Sequence, residues 1–462
     1  MSLLCMNLEL FSHCAMAVVW LAVDLFVGSA VYNLFLSPLA RYHGPLLAKA
    51  SSLSDFYWSM TGSRHLWLAR NHEIYGDVVR YHPDGNVKRS KFYDMMTRNE
   101  VDKSVITGTD VALHAQKKRV ISTVFSEKAI RAMEPVLLEH VSRWCQLLVD
   151  DDDKDDRSTP RRVSQMCDCL VLDVLCGAWG NDYRKIPHII AKYLRVFYPL
   201  GHSPWLDLLI FAMFTPSDIQ SLYEFVRESM ALQLQSEDGR SLSQDNGTTR
   251  PDRLDMLHYL IDAKNPRFFF YIVRSPDVYG RLVDEIRATV TSSGEIYGGK
   301  KLSSCKYLHA CVEEAMRITP AGPAELPRTV LPGELVVDSD YIPEGTTVGA
   351  AHWRIYRNEK YFHDSDLYLP ERWVVDEQTG VTADDVARAR SSCFPFAAGA
   401  TRCAGKNFAL LELYITIART LWLYDGSYEA GEWGRRNPDT FQVMDSYISI
   451  RDGPVVQFRK RM

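Results

Sequence analysis

The apolar positions form one long unbroken stretch near the start of the chain and a series of helical repeats after it. Residues 11–36 contain no Lys or Arg and a single acid, Asp24, and this stretch exceeds the roughly 20 mostly apolar residues that a bilayer-spanning helix needs. It predicts a membrane anchor. A cleaved signal peptide fits less well, because no basic residue precedes the stretch and Asp24 divides it; a buried helix of a soluble protein is the other reading. Arg41 and Lys49 follow the apolar run whereas residues 1–10 carry no basic residue, so the positive-inside rule puts the remaining chain on the cytosolic side. Pro38 and Pro45 cannot continue a helix, so residues 37–45 form a stiff spacer. The expected division is an anchor and hinge over 1–40 and one body over 41–462.

Beyond Pro45 apolar residues recur at spacings of three and four, which predicts helices over 127–149, 166–179, 217–234, 276–291, 307–318 and 406–423. Strand-like pieces are short: 77–81, 334–337 and 346–349, with a possible hairpin over 447–459 turning at Asp452-Gly453. The fold class expected is mainly α with small β-sheets. Residues 150–156 hold six Asp around Lys154 and predict a solvated loop, because like charges without fixed geometry repel. Residues 235–250 are a polar linker, and the Asn246-Gly247-Thr248 sequon stays unmodified in a cytosolic body. No internal repeat is visible.

Charge and cysteine usage narrow the function classes. Lys and Arg total 53 against 58 Asp and Glu, a net charge of −5, so nothing points to nucleic acid as a partner. Ten cysteines scattered over 462 residues without a C-x-x-C pair predict reduced thiols in a cytosol-facing protein.

The informative stretch is 394–409, where small residues surround Cys403 and lead into the helix over 406–423. Such a loop lets backbone approach a large flat cofactor and places the sulfur at a helix N-terminus, where partial positive charge favours thiolate. These are the needs of a metal-ligating cysteine. A buried small hydrophobe ahead of a core helix is the competing reading for any lone cysteine.

Here the sequence resembles the cytochrome P-450 haem-thiolate monooxygenases. Phe396, Gly399, Thr401, Cys403 and Gly405 fall at the spacing of their haem loop. The similarity continues in order along the chain through the proline hinge, the His114-x-x-x-Lys118 helix closed by Phe125-Ser126, Glu314-Ala315-Met316-Arg317, and Pro370-Glu371-Arg372-Trp373. It is nearest to fungal microsomal members. The resemblance implies the P-450 fold, haem b with Cys403 as axial iron ligand, electrons from NADPH through a separate reductase, and an endoplasmic-reticulum location. It also implies that Glu314, Arg317 and Arg372 form a structural charge trio; spacing alone would allow a solvated pair between Glu314 and Arg317. His114, Lys118 and Arg328 stand where the family places contacts to the haem propionates. The usual Arg is replaced by Thr401, and Arg402, one residue on, turns its side chain elsewhere.

Two family segments are missing. Before the Glu-x-x-Arg helix, members carry a long helix with an Ala-Gly-x-x-Thr kink over the haem, whose acid and alcohol relay protons to bound oxygen. This chain passes from residues 256–266 to 268–276, which match the sequence before that helix and its last turn. Pro266 also forbids an unbroken helix through the junction. A second gap falls near 81–88. No residue is therefore assigned to proton transfer. The implied function is insertion of one oxygen atom into an apolar small molecule, such as a fungal secondary-metabolite intermediate. The alternatives are a haem-thiolate isomerase or dehydratase needing no reductase, and a non-catalytic remnant.

Overall fold

The computed structural model describes residues 2–76, 87–96, 105, 107–149, 158–176, 186–206, 266–333, 335–337, 340–428, 441–451 and 453–461. The segments expected over 77–81, 150–156, 217–234 and 235–250 lie outside these residues, as does the end of the helix expected over 166–179.

Helix α1 (Ser2–Val31) runs into a wider π turn, Tyr32–Leu36. Within it Val19–Leu36 is long and apolar enough to cross a membrane, and none of that span is buried against the body. The hinge is tied down: Asn33 Nδ2 donates to Ala50 O at 3.1 Å, Lys49 Nζ to Ala40 O at 2.9 Å, and Arg41 and Tyr42 both donate to Tyr341 O at 2.7 and 2.6 Å.

The body is mainly helical, as its 3.6-residue periodicity requires. Helices α2 (Leu53–Met60) and α3 (Arg64–Tyr75) precede α4 (Val111–Val124), which starts where Asp110 accepts from Leu113 N at 2.7 Å. Phe125 ends α4, and Ser126 then caps α5 (Glu127–Leu147). There follow α6 (Val163–Cys176), α7 (Ile186–His202), α8 (Pro266–Ile272), α9 (Pro276–Thr289), α10 (Lys306–Ile318), α11 (Ala383–Ser392) and α12 (Lys406–Leu423). One large apolar core joins α5, α6, α8, α9, α10 and α12. Helix α12 lies across it with Ile415, Ile417, Ala418 and Leu421 buried.

The sheets are small. Strands β1 (Val87–Arg89), β3 (Arg328–Val330) and β6 (Thr347–Val348) form one antiparallel sheet in the order β1-β3-β6, with Arg89 directly opposite Arg328. Between the last two, β4 (Leu335–Val337) pairs with β5 (Asp340–Ile342). The C-terminal hairpin differs from expectation. Its turn is at Tyr447, with φ +72°, between β8 (Met444–Ser446) and β9 (Ile448–Ile450). Past Gly453, β10 (Val455–Lys460) instead joins the sheet of β2 (Arg161–Arg162) and β7 (Tyr424–Tyr428). Pro454 has no N–H to give a ladder, and β10 buries Val456 and Phe458 in the main core, so the apolar residues of β10 choose the other sheet.

Candidate active site

The cysteine loop is held in a shape that few sequences can adopt. Gly399 at φ +63° and Ala397 at φ +55° are left-handed, a region free for glycine and strained for alanine. Cys403 N donates to Phe396 O at 2.9 Å, and Arg402 N to Gly399 O at 3.1 Å. Cys403 is 9% exposed and lies three residues before α12. A side chain at Gly405 would place its Cβ 3.3 Å from the Phe125 ring, so glycine lets the C-terminal end of α4 close over the loop. These contacts aim one sulfur at a fixed point beside a helix N-terminus, an environment suited to a thiolate ligand.

Around this loop the structure gathers cations. Lys118 Nζ donates to Ala400 O. Buried Arg328 donates to Thr401 Oγ1 at 3.2 Å and to Tyr93 OH at 2.9 Å. His114, one turn before Lys118 on α4, is pushed down to about 4, first by burial and then by the charges of Arg89, Lys118 and Arg328. Its Nε2 is buried without a hydrogen-bond partner among the described residues. All three residues anticipated at this place are thus brought together. Thr401 accepts from Arg328, and Arg402 is exposed, with its charge felt by Lys118.

Arg89 was not legible in the sequence. It is 7% exposed, it faces Arg328 across β1 and β3, and its Nε and Nη1 are buried without hydrogen-bond partners among the described residues. The two guanidiniums flank the Tyr93 ring, with centroid distances of 5.5 Å for Arg89 and 5.8 Å for Arg328. Like charges directly opposite on a sheet repel, and a buried cation without a counter-ion is costly. The arrangement therefore suits an anion with two carboxylates, and haem propionates fit it. Lys88-Arg89 directly after the second gap was the only available signal, and short basic pairs are usually solvated.

The charge trio is also assembled, and it is not a solvated helix pair. Glu314 and Arg317 are fully buried on α10 and share two hydrogen bonds of 2.8 Å. Glu314 further accepts from Arg372 Nε at 3.2 Å, Trp373 Nε1 at 2.9 Å and Leu369 N at 2.9 Å. Burial pushes its carboxyl up, but Arg317 and the other donors outweigh that and hold it below the usual range. The trio ties α10 to the segment carrying Pro370–Trp373.

Every residue of α8 as described, Pro266–Ile272, is buried. Phe269 packs on Phe458, Phe270 on Phe441, and Tyr271 stacks on Tyr368 at 5.1 Å. Residues 256–265, the upstream side of the expected junction, lie outside the described residues.

A buried cysteine on a glycine-bent loop, a long core helix behind it and a dianion-sized cationic cradle beside it define a haem-thiolate architecture. Comparison with known proteins agrees. The cytochrome P450 family model matches residues 266–438. The chain is 27% identical to the cytochrome P450 monooxygenase poxM of Penicillium oxalicum over 494 positions, covering 94% of this chain and 92% of the relative. It is also 27% identical to the monooxygenase atnE of Emericella nidulans, covering 96% of each, and to fscF of Fusarium equiseti, covering 94% of each. The chain is thus similar to cytochrome P450 monooxygenases over nearly its whole length, and these relatives are fungal. The family implies haem as cofactor and electrons from a redox partner. The match to fscF spans 511 positions, more than the 462 residues here, so residues of that relative face gaps in this chain. The match to the family model begins at Pro266, beside the junction at which the sequence is expected to lack the long helix.

Proposed function

We propose that this protein is a membrane-anchored haem-thiolate monooxygenase that inserts one oxygen atom from O2 into a small molecule of fungal secondary metabolism. The observation that carries the reading is the convergence of Cys403, the strained loop around it and the cationic cradle of Arg89, His114, Lys118 and Arg328. In the proposal Cys403 would ligate the haem iron and the cradle would hold the propionates. Haem bound in this way would supply the activation of dioxygen, with electrons delivered from NADPH by a reductase. The chain's own part is to fix the sulfur, neutralise the propionates and keep water from the loop through Phe125 and Phe408. Helix α1 holds the body at the cytosolic face of the endoplasmic reticulum, and the exposed Leu46, Leu47, Val336 and Tyr341 beside the hinge rest on the bilayer.

The reduced carbon monoxide difference spectrum tests the assignment. After reconstitution with haem, the thiolate band is expected in the parent chain and absent in Cys403→Ala, with membrane attachment unchanged. A band surviving the substitution places the ligand elsewhere.

A second reading has its own observation. The shortened oxygen side favours a haem protein that does not complete oxygen chemistry: a remnant, a shortened transcript product of a working enzyme, or an isomerase or dehydratase. Carbon monoxide binding without NADPH consumption, with or without conversion of an oxygenated substrate, separates these outcomes.

A further inference from the structure

The anchor ends beside a cavity. Asn33 in its last turn and Ser37 directly after it line a half-open space of about 410 Å³, within the range of small-molecule sites. Both residues adjoin or belong to the apolar span Val19–Leu36, so the chain itself sets the cavity at the edge of the bilayer, on the side that the positive-inside rule makes cytosolic.

The opposite wall is the hairpin of β4 and β5. Leu335, Val337 and Ile342 line the cavity, and they belong to a small apolar cluster with Val330 that is separate from the main core. Side chains alternate along a strand, so Val336 and its cross-strand partner Tyr341 point the other way, where they are 57% and 46% exposed. A hairpin apolar on both faces needs cover on both. At the end of a membrane span, lipid supplies it.

The polar lining carries one sign of charge. Lys49 and the exposed His43 line the cavity with Tyr42, and no Asp or Glu does among the described residues. Lys49 Nζ gives one of its three N–H donors to Ala40 O at 2.9 Å and makes no ion pair among the described residues. Next to Tyr42, exposed Arg41 donates to Tyr42 OH at 3.0 Å and Tyr341 O at 2.7 Å, again with no carboxylate partner among the described residues. Those bonds latch the hinge to β5 and fix the two walls relative to each other. A purely apolar ligand would leave the ammonium of Lys49 without an anion, and a soluble anion would leave the apolar wall uncovered. An anionic amphiphile satisfies both.

We infer that this cavity binds one anionic phospholipid of the cytosolic leaflet, with Lys49 as its phosphate contact and the start of an acyl chain against Leu39, Leu335 and Val337. The inference rests on the membrane-anchor reading and adds to it a lipid that fixes how the body stands on the bilayer.

The test uses the full chain in phosphatidylcholine vesicles containing a trace of spin-labelled lipid, and electron paramagnetic resonance reads the motionally restricted fraction. Spin-labelled phosphatidylserine should associate about fivefold more strongly than spin-labelled phosphatidylcholine. Lys49→Gln, which keeps an N–H donor at the hinge, should lower that ratio to about twofold. Ala48→Phe fills the cavity with every cation in place and should lower it equally, whereas diffuse attraction to basic residues near the membrane would survive it. A ratio near one in the parent chain, or an unchanged ratio in either folded variant, would overturn the proposal. Should Ala48→Phe not fold, Val337→Phe on the opposite wall replaces it. Flotation with the vesicles tests the anchor separately: a chain that does not float removes the anchor and the site with it, and a chain that floats without lipid preference removes the site alone.

Discussion

The cysteine side of the candidate haem site and its oxygen side are finished to different degrees. On the cysteine side each family motif is present and makes its contact: the loop bends at Gly399, Gly405 admits Phe125, and Glu314 gathers Arg317, Arg372 and Trp373. On the oxygen side, where the sequence lacks the family's long helix, the described segment Pro266–Ile272 is walled in by aromatic rings. A site held together by local motifs survives loss of a distant segment, because its geometry is fixed by neighbours in the sequence and by one core helix. A site face built from one long helix does not. The difference therefore points to loss of a compact segment more than to gradual decay, which would have eroded both sides.

The largest expected effect comes from repairing the weaker side. Haem presents wide apolar faces, and leaving a few hundred Å² uncovered costs several kcal/mol at about 25 cal/mol per Å², comparable to the stability of a whole domain. The 462-residue chain should purify with little haem and show no NADPH-dependent oxygenation. A version with an Ala-Gly-x-x-Thr helix inserted between Pro266 and Phe268 should gain both. Sequencing the transcript across residues 262–270 would show whether such an insert occurs naturally. Good turnover by the uninterrupted form would remove the contrast altogether.

Next in size is the brace of the stronger side. Glu314→Ala leaves Arg317, fully buried, without its carboxylate, and breaking such a pair costs about 3–5 kcal/mol. Chemical denaturation should show that loss in haem-free protein too, since the trio acts on the fold. An effect under about 1 kcal/mol would mean that the backbone carbonyls of Tyr356, Ser365 and Leu367 suffice for Arg317.

A smaller effect of opposite signs is expected at Arg89. Removing a buried cation that lacks a counter-ion among the described residues should stabilise the haem-free chain by about 1 kcal/mol in Arg89→Leu, while haem leaves about tenfold faster in transfer to apomyoglobin. Equal changes with and without haem would make Arg89 a purely structural residue.

A further effect is in the pH dependence of stability. His114 titrates at about 4 in the folded chain against 6.5 ordinarily, so between those values the unfolded chain takes up a proton that the folded chain refuses. Stability of the haem-free protein should fall as pH drops through that window, and above it His114 should contribute nothing. In His114→Gln this part of the fall should vanish, and bound propionates should shrink it by raising the imidazole. An unchanged melting profile in the variant would show that His114 is solvated.

Much of the site could be read from the chain alone because its chemistry sits in short, spaced motifs. Cys403 with Gly399 and Gly405, the pair Glu314 and Arg317, and Lys118 one turn from His114 all act at local distances, where loop bends and helical turns fix which side chains share a face. The apolar run over 11–36 likewise announced α1 by composition. Tertiary structure decided whatever depended on pairing across long sequence distance. The register of β1 on β3 set Arg89 against Arg328, 239 residues on in the chain, and no local pattern could reveal that a lone arginine beside a gap would be buried. Strand β10 left the expected hairpin because its apolar residues found a deeper core with β7. Lys49 and Leu335 came to one cavity from the hinge and from β4. The physical reason is the same in each case. Backbone preferences act over a few residues and are written in the sequence, while burial and charge neutralisation depend on which distant surfaces meet.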